Sequence, residues 1–290
     1  MGGLGCTRDN LSCRLFGVLV VLAAVSPETT QAQSRSRPSQ TPAASTACRF
    51  ETATEGTVST VVDGRSFMLT DGREIRLAGI EIPPLRPGPV SSPPDAGHAA
   101  KAKLESILAG ATVVLSRGRP AGDRYGRTIA YADVIVDGSQ RAVAAAMVSS
   151  GYARVGAQVE SMACAVELLS QERAARTSKL GLWADPYYVV FEAGNGAALL
   201  GHQGQFAIVE GKVASVRTSG GIIYINFGRK WSEALTVTIQ KRHERIFLSS
   251  GVAPGMLENR RVRVRGWIDE RGGPRIEATR PEQIEIAELM

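Results

Sequence analysis

Residues 75–84 read IRLAGIEIPP: a single arginine, Arg76, stands in an apolar run that ends in an acid, Glu81, and two prolines. In such a run the polar residues either rim an active site or only face water. A guanidinium fork suits the paired oxygens of a phosphate, and a carboxylate beside it could hold a cation or move a proton. A second group of cations lies far downstream. In RRVRVRGW, Arg261, Arg263 and Arg265 alternate with Val262 and Val264, and a strand places those three arginines on one face. With Tyr224, Phe227, Trp231 and Trp267 in nearby strands, two readings stand side by side. One is a basic, stacking surface for single-stranded nucleic acid; the other is the solvated face of a small barrel whose aromatics fill the core.

Other chemistries find no support. His98, His202 and His243 are scattered, without partners at metal-ligand spacing. There is no GxSxG, no P-loop and no strand-GxGxxG-helix, so zinc hydrolase, serine esterase and nucleotide-binding readings fall away as first choices.

The elements that must position these residues follow from patterning. Hydrophobic residues make up 43% and charged residues 21%, the balance of an ordinary globular protein, and 290 residues suffice for two modest domains. Residues 1–32 read as a secretory signal: Arg8 and Arg14 precede the apolar run Leu15–Val25, and small residues follow near Ala32. That run is too short to span a bilayer, which takes about 20 residues. The expectation is an exported protein, periplasmic or extracellular, with no integral membrane segment after cleavage. Cys6 and Cys13 leave with the signal, and in an oxidising compartment the remaining Cys48 and Cys164 are expected to form one disulfide. Residues 33–47, rich in Ser and Pro, read as a flexible linker.

From Cys48 the pattern is β. Runs of β-branched residues punctuated by Asp63-Gly64 and Asp71-Gly72 predict three antiparallel strands. A Pro-rich loop over Pro83–Asp95 precedes a helix closed by Gly110. Two strands follow, the second in a hairpin at Asp137-Gly138, and then two helices ended by Gly151 and Gly181. Residues 191–203 are Gly/Ala-rich and read as a linker between a domain at 48–190 and a second at 204–290. The second shows short strands between turns, a small, OB-like β-barrel in outline. It carries 14 Lys/Arg against 10 Asp/Glu, whereas 48–190 carries 16 against 15, so the cationic excess lies in the second domain. The fold class expected is α+β, mainly β.

Four segments in order, VVDGRSFMLTDGREIRLAGIEIP, DRYGRTIAY, AAMVSSGYARV and CAVELLSQERAARTSKLGLW, resemble the staphylococcal nuclease-like, or thermonuclease, family over about residues 56–184. The resemblance implies a five-stranded OB-type barrel with three helices. It also implies calcium-dependent phosphodiester hydrolysis: acids hold the ion, two arginines grip the phosphate and a glutamate assists the attacking water. A pentacoordinate phosphate gathers negative charge, which a cation and guanidinium forks stabilise. Carried over by position, Arg76 and Arg127 are the two phosphate-gripping arginines, Glu81 replaces an aspartate ligand to calcium, and Asp63 matches an acid near the metal. Asp123 and Tyr125, in the DRYGR turn, read as structural.

The pattern breaks twice. Arg65 stands where the family has its other calcium-binding aspartate, and Pro84 where it has the catalytic glutamate. A unit charge about 5 Å from a divalent ion, at an effective dielectric near 20, is worth roughly 7 kcal/mol, so turning attraction into repulsion should weaken calcium binding badly. A lost general base removes about 10²–10⁴ in rate. No acid follows until Asp95, which could act only if the Pro-rich loop folds over the site. Glu81 is therefore expected to pair with Arg65 or Arg76. The expectation is a thermonuclease-like protein that binds nucleic acid or another phosphodiester through Arg76 and Arg127, with hydrolysis weak or lost. Two alternatives stay open: an active calcium-dependent endonuclease using Asp63 and Glu81, and a non-enzymatic envelope interaction module.

Overall fold

A computed structural model describes residues 48, 50, 53–85 and 95–287, less the side chains at 53 and 117–120. The expected signal, the linker at 33–47 and most of the Pro-rich loop lie outside the described residues.

Alternation sets the first barrel. In β3 (Glu74–Leu77), Ile75 and Leu77 are fully buried, which leaves Glu74 and Arg76 half-buried on the opposite side of the pleat. This strand runs beside β2 (Ser66–Leu69), which pairs with β1 (Ala53–Val61); β1 pairs with β5 (Thr112–Gly122), and β5 with β6 (Thr128–Val136). A parallel β3–β6 ladder, Arg76 opposite Ile129, closes the ring of five. A short β4 (Ile80–Glu81) leaves the barrel and pairs with β8 (Arg154–Val155), which puts Glu81 opposite Arg154. The hairpin from β6 to β7 (Ser139–Ala142) turns at Asp137 and Gly138, both at positive φ, as the dipeptide predicts.

Three helices cover the barrel: α1 (Ala96–Leu108), α2 (Val143–Ser149) and α3 (Met162–Thr177). Leu104, Leu108, Met147, Val148 and Leu168 are fully buried, each contributing about 1.5–3 kcal/mol. Asp95 caps α1, accepting from the amides of Gly97 and His98 at 3.0 Å each. Gly97 is required there, because a Cβ would meet the Pro84 carbonyl oxygen at 2.4 Å. The expected Cys48–Cys164 disulfide is present, with Cα atoms 4.6 Å apart across a sequence separation of 116. A bridge of that span contributes about 2–4 kcal/mol by restricting the unfolded chain.

The region expected as a linker, residues 191–203, is instead part of the second core. Its β9 (Phe191–Glu192) pairs with β10 (Phe206–Lys212), and α4 (Gly196–Leu200) buries Leu199 completely. A Gly/Ala composition marks a free linker only when no large apolar residue can be buried, and here Leu199 and Phe191 supply that anchor. The second half carries two sheets about one core. The first is β9, β10, β14 (Arg261–Trp267) and β17 (Ile284–Ile286). The second is β11 (Ser215–Ser219), β12 (Ile222–Asn226), β13 (Thr236–Gln240), β16 (Pro274–Glu277) and β15 (Asp269–Glu270), with the helix α5 (Glu244–Ser249) after β13. Where a single small barrel was expected, β16 completes one sheet and β17 the other. A smaller apolar cluster, Ala175, Trp183, Phe206 and Ile208, joins the two halves. No helix among the described residues is long and apolar enough to cross a membrane.

Candidate functional site

The rim of the first barrel is built by turn chemistry. Asp63 Oδ1 accepts the Arg65 amide at 2.7 Å, an Asx turn that sends the Arg65 side chain back across the barrel mouth. There Arg65 Nε donates to the Leu77 carbonyl at 2.9 Å and Nη1 to Glu81 Oε2 at 2.5 Å. The expected ion pair of Glu81 thus forms with Arg65, and both side chains are largely buried. Arg76 stays unpaired: among the described residues no carboxylate or carbonyl lies within bonding distance of its guanidinium. Burial, and then the charges of Arg65 and Arg127 against the opposing pull of Glu81 and Asp63, push its affinity for a proton below the ordinary value. A cation so placed gains from an incoming anion.

Arg127 is held differently. Asp123 Oδ1 accepts the amides of Tyr125 at 2.9 Å and Arg127 at 3.2 Å, while Oδ2 accepts Arg127 Nε at 2.7 Å. The guanidinium also lies over the Tyr125 ring at 5.1 Å. Asp123 and Tyr125 are therefore structural members of the turn. Arg127 is oriented at the rim, already engaged by one carboxylate, and its charge reaches Arg76.

The calcium expected from the resemblance does not fit these residues. One Asp63 oxygen is committed to a turn amide, and the Glu81 carboxylate lies on a guanidinium that would meet a divalent ion as a like charge. Among the described residues no three Asp, Glu, His or Cys side chains converge as ligands. Asp95, the nearest later acid, is used as a helix cap, and the His98 amide bond first among its contacts holds it below the usual carboxylate range.

Arg76, Glu81 and Pro84 open onto a cleft of about 1140 Å³ whose far wall joins the segment after α3 to the second half. Sequence reasoning missed Tyr187, Tyr188 and Phe206 in that wall and Arg154 on its floor, and named Trp267 only as a neighbour of the β14 arginines. The signal for Arg154 was a charge between Ala153 and Val155, two residues that are fully buried.

Arg261, Arg263 and Arg265 do share one face of β14, but only Arg261, at its end, meets solvent, while Arg263 and Arg265 are buried. Arg265 is completely buried, with Nη1 and Nη2 on the two oxygens of Glu172 at 3.1 and 3.0 Å and Nη1 also on the Val155 carbonyl at 3.1 Å. Arg263 binds Glu210 at 2.5 Å and Glu285 at 3.2 Å; Arg261 binds Glu210 at 2.6 Å and Glu192 at 3.2 Å. The expected nucleic-acid surface is thus corrected to a seam of ion pairs joining β14 to α3 and to neighbouring strands. Of the aromatics named with it, Phe227 is buried, and Tyr224 stacks on Trp231 at 6.1 Å.

A closed five-stranded OB-type barrel with three helices, bearing two rim arginines, defines a nuclease-like class of domain. Residues 74–185 match the family model described as staphylococcal nuclease homologue, which supports a thermonuclease-like family for this part of the chain. The matched segment holds Arg76, Glu81, Pro84 and Arg127 and ends before the second half. No curated protein matches the chain.

Proposed function

We propose that this is an exported thermonuclease-like protein that binds nucleic-acid phosphodiester through Arg76 and Arg127 and hydrolyses it weakly or not at all. The observation that carries the reading is the contrast at the rim between Arg65, which sits on Glu81, and Arg76, which has no carboxylate partner. A phosphate oxygen pair supplies what Arg76 lacks. Arg127, fixed by Asp123, presents its remaining N–H groups to the same anion. Neither described candidate stands ready to take a proton from water, since Pro84 has no titratable side chain and Asp95 caps α1.

The test follows cleavage of a quenched single-stranded oligonucleotide by the full chain, with calcium and with chelator, beside an Arg76→Ala/Arg127→Ala variant. The expected result is salt-sensitive binding, with log K falling by about 0.7 per phosphate contact per decade of salt, and no calcium-dependent cleavage above the variant. Arg65→Asp with Pro84→Glu should raise calcium-dependent cleavage above that of the parent. Calcium-dependent cleavage by the parent, abolished in the arginine variant, would overturn the reading in favour of an active endonuclease.

A further inference from the structure

We propose that the cleft between the barrel rim and the end of β14 is a nucleotide pocket, with Arg76 and Arg154 taking the phosphate and Tyr187 and Trp267 stacking on an unpaired base. The proposal rests on the reading of Arg76 as a phosphate ligand. It adds a second cation and a base-binding wall that lie outside the pair of rim arginines, and with them a substrate class.

Arg154 is the anomaly that points there. It is 7% exposed, lies among the residues lining the cleft, and has no carboxylate within ion-pair distance among the described residues. Nη1 donates to the Phe206 carbonyl at 3.0 Å, while Nε is buried without a partner. Its guanidinium is flanked by the rings of Phe206 at 4.9 Å and Tyr188 at 5.4 Å, which hold it in place without neutralising it. A buried cation is costly unless paired. The contrast with Arg265 is direct, because that equally buried guanidinium has a carboxylate on each fork. Glu81 does not fill the need of Arg154, since it is bound to Arg65. The floor and near rim of the cleft therefore carry two guanidinium groups without a carboxylate in ion-pair distance among the described residues, a lining suited to an anion.

The opposite wall is aromatic and only partly covered. Trp267 is 54% and Tyr187 44% exposed, and both rings line the same cleft. Both are fixed: Tyr188 meets the Tyr187 ring edge-on at 5.0 Å and Phe206 meets Trp267 in the same way at 6.2 Å, while the Tyr187 hydroxyl bonds to Gln205. The His202 ring packs on Tyr187 as well, at 5.1 Å, so both rings are held as fixed aromatic surfaces of the kind on which any base can stack. The cleft volume of about 1140 Å³ lies at the large end of ligand pockets, room for a nucleotide and its neighbour. Tyr187 and Trp267 also lie beyond the family match, so the second half completes the pocket.

Titration calorimetry on the full chain would compare a 5′-phosphorylated thymidine dinucleotide, thymidine 5′-phosphate, an abasic phosphodiester oligomer and inorganic phosphate. The dinucleotide or the mononucleotide should bind more tightly than the abasic oligomer or phosphate. Trp267→Ala and Tyr187→Ala should each weaken nucleotide binding on the order of 10-fold while leaving the abasic oligomer unchanged. Arg154→Gln should weaken every phosphate-bearing probe. If that variant does not fold, the two exposed aromatic variants still decide. The relative affinity of the dinucleotide and mononucleotide distinguishes a strand from a free nucleotide. Binding lost in Arg76→Ala but untouched by all three other changes would overturn the pocket and leave the phosphate grip standing. Binding untouched by Arg76→Ala would overturn the grip itself.

Discussion

The molecule holds arginines in two settings, and counting carboxylates separates them. Along β14, Arg261, Arg263 and Arg265 meet Glu172, Glu192, Glu210 and Glu285, so every guanidinium has two acids within ion-pair distance. Around the cleft, Arg65 consumes Glu81, and Arg76 and Arg154 are left over. The more arginine-rich strand is therefore structural, and the sparser rim is the candidate for an anion. The lack of a partner, not presence in a cluster, is what singles out Arg76 and Arg154 as candidates for an anion; Arg127, held by Asp123, is a candidate by its place at the rim.

The comparison can be broken hardest at Glu172. This side chain is 1% exposed; it accepts the Val155 amide at 2.7 Å and both forks of Arg265, with Arg176 Nη1 a further 3.6 Å away. Glu172→Ala leaves Arg265 fully buried with only the more distant Glu285 carboxylate, 3.5 Å away, and should cost about 3–5 kcal/mol in denaturant unfolding. Replacing both partners, as Glu172→Leu with Arg265→Met, should recover most of that loss, because two apolar groups need no counterion. If the single change costs under half the lower figure, β14 is not held by its ion pairs, and the contrast between the settings fails.

A smaller effect is expected at Glu81. Glu81→Gln removes the charge that holds Arg65 and should cost about 1.5–3 kcal/mol, the range for a hydrogen bond between charged groups. The same change removes a negative charge from the cleft lining and leaves the neighbouring Arg65 without its carboxylate. One unit charge about 5 Å from a phosphate in water contributes close to 0.8 kcal/mol, so the affinity for inorganic phosphate should rise roughly four-fold. Weaker binding in Glu81→Gln would mean that Glu81 orients the anion site, and that pairing does not silence Arg65.

Much of this was legible before any fold was known. The Asp-Gly dipeptides, the alternation in EIRL and the two cysteines beyond residue 32 led to the barrel, to the placing of Arg76 and to the disulfide. The exchange of an acid for Arg65 pointed to its pairing with Glu81. The seam was not legible, for a physical reason. Alternation in RVRVRGW says that three arginines share a face but not what covers it, and the cover is Glu172, 93 residues earlier. A trace of it was present all the same. Ala165, Leu168, Glu172 and Ala175 recur at helical spacing on the buried face of α3, so an acid on an apolar stripe announced a buried cation somewhere. The cleft was hidden more deeply, since its wall is built from Tyr187 and Trp267, distant in sequence and ordinary in context.

The gentlest probe of the comparison is acid. Burial pushes Glu285 up, but the Arg173 hydrogen bond and the charges of Arg265 and Arg263 outweigh it and hold the group below its ordinary 4.5. Burial likewise raises Glu210, and the hydrogen bonds from Arg261 and Arg263 then bring it below 4.5. For both, the unfolded chain binds the proton more readily than the folded one. Their stabilisation is complete above pH 4.5 and is lost as the pH falls through the lower folded values. Glu282 has the opposite sign. Burial raises it above 4.5 with Oε2 unpartnered, so the folded chain favours its protonated form, and its contribution falls as the pH rises from 4.5. The thermal midpoint should therefore hold from neutrality to about pH 5 and drop by a few degrees below pH 4.5. In a Glu282→Gln variant the midpoint should exceed the parent's at pH 7, with the gap closing in acid. Arg76 and Arg154, having no carboxylate partner to protonate, predict that phosphate binding outlasts the first loosening of the seam. A phosphate affinity that falls in step with the thermal midpoint would place both settings under one set of carboxylates and erase the distinction between them.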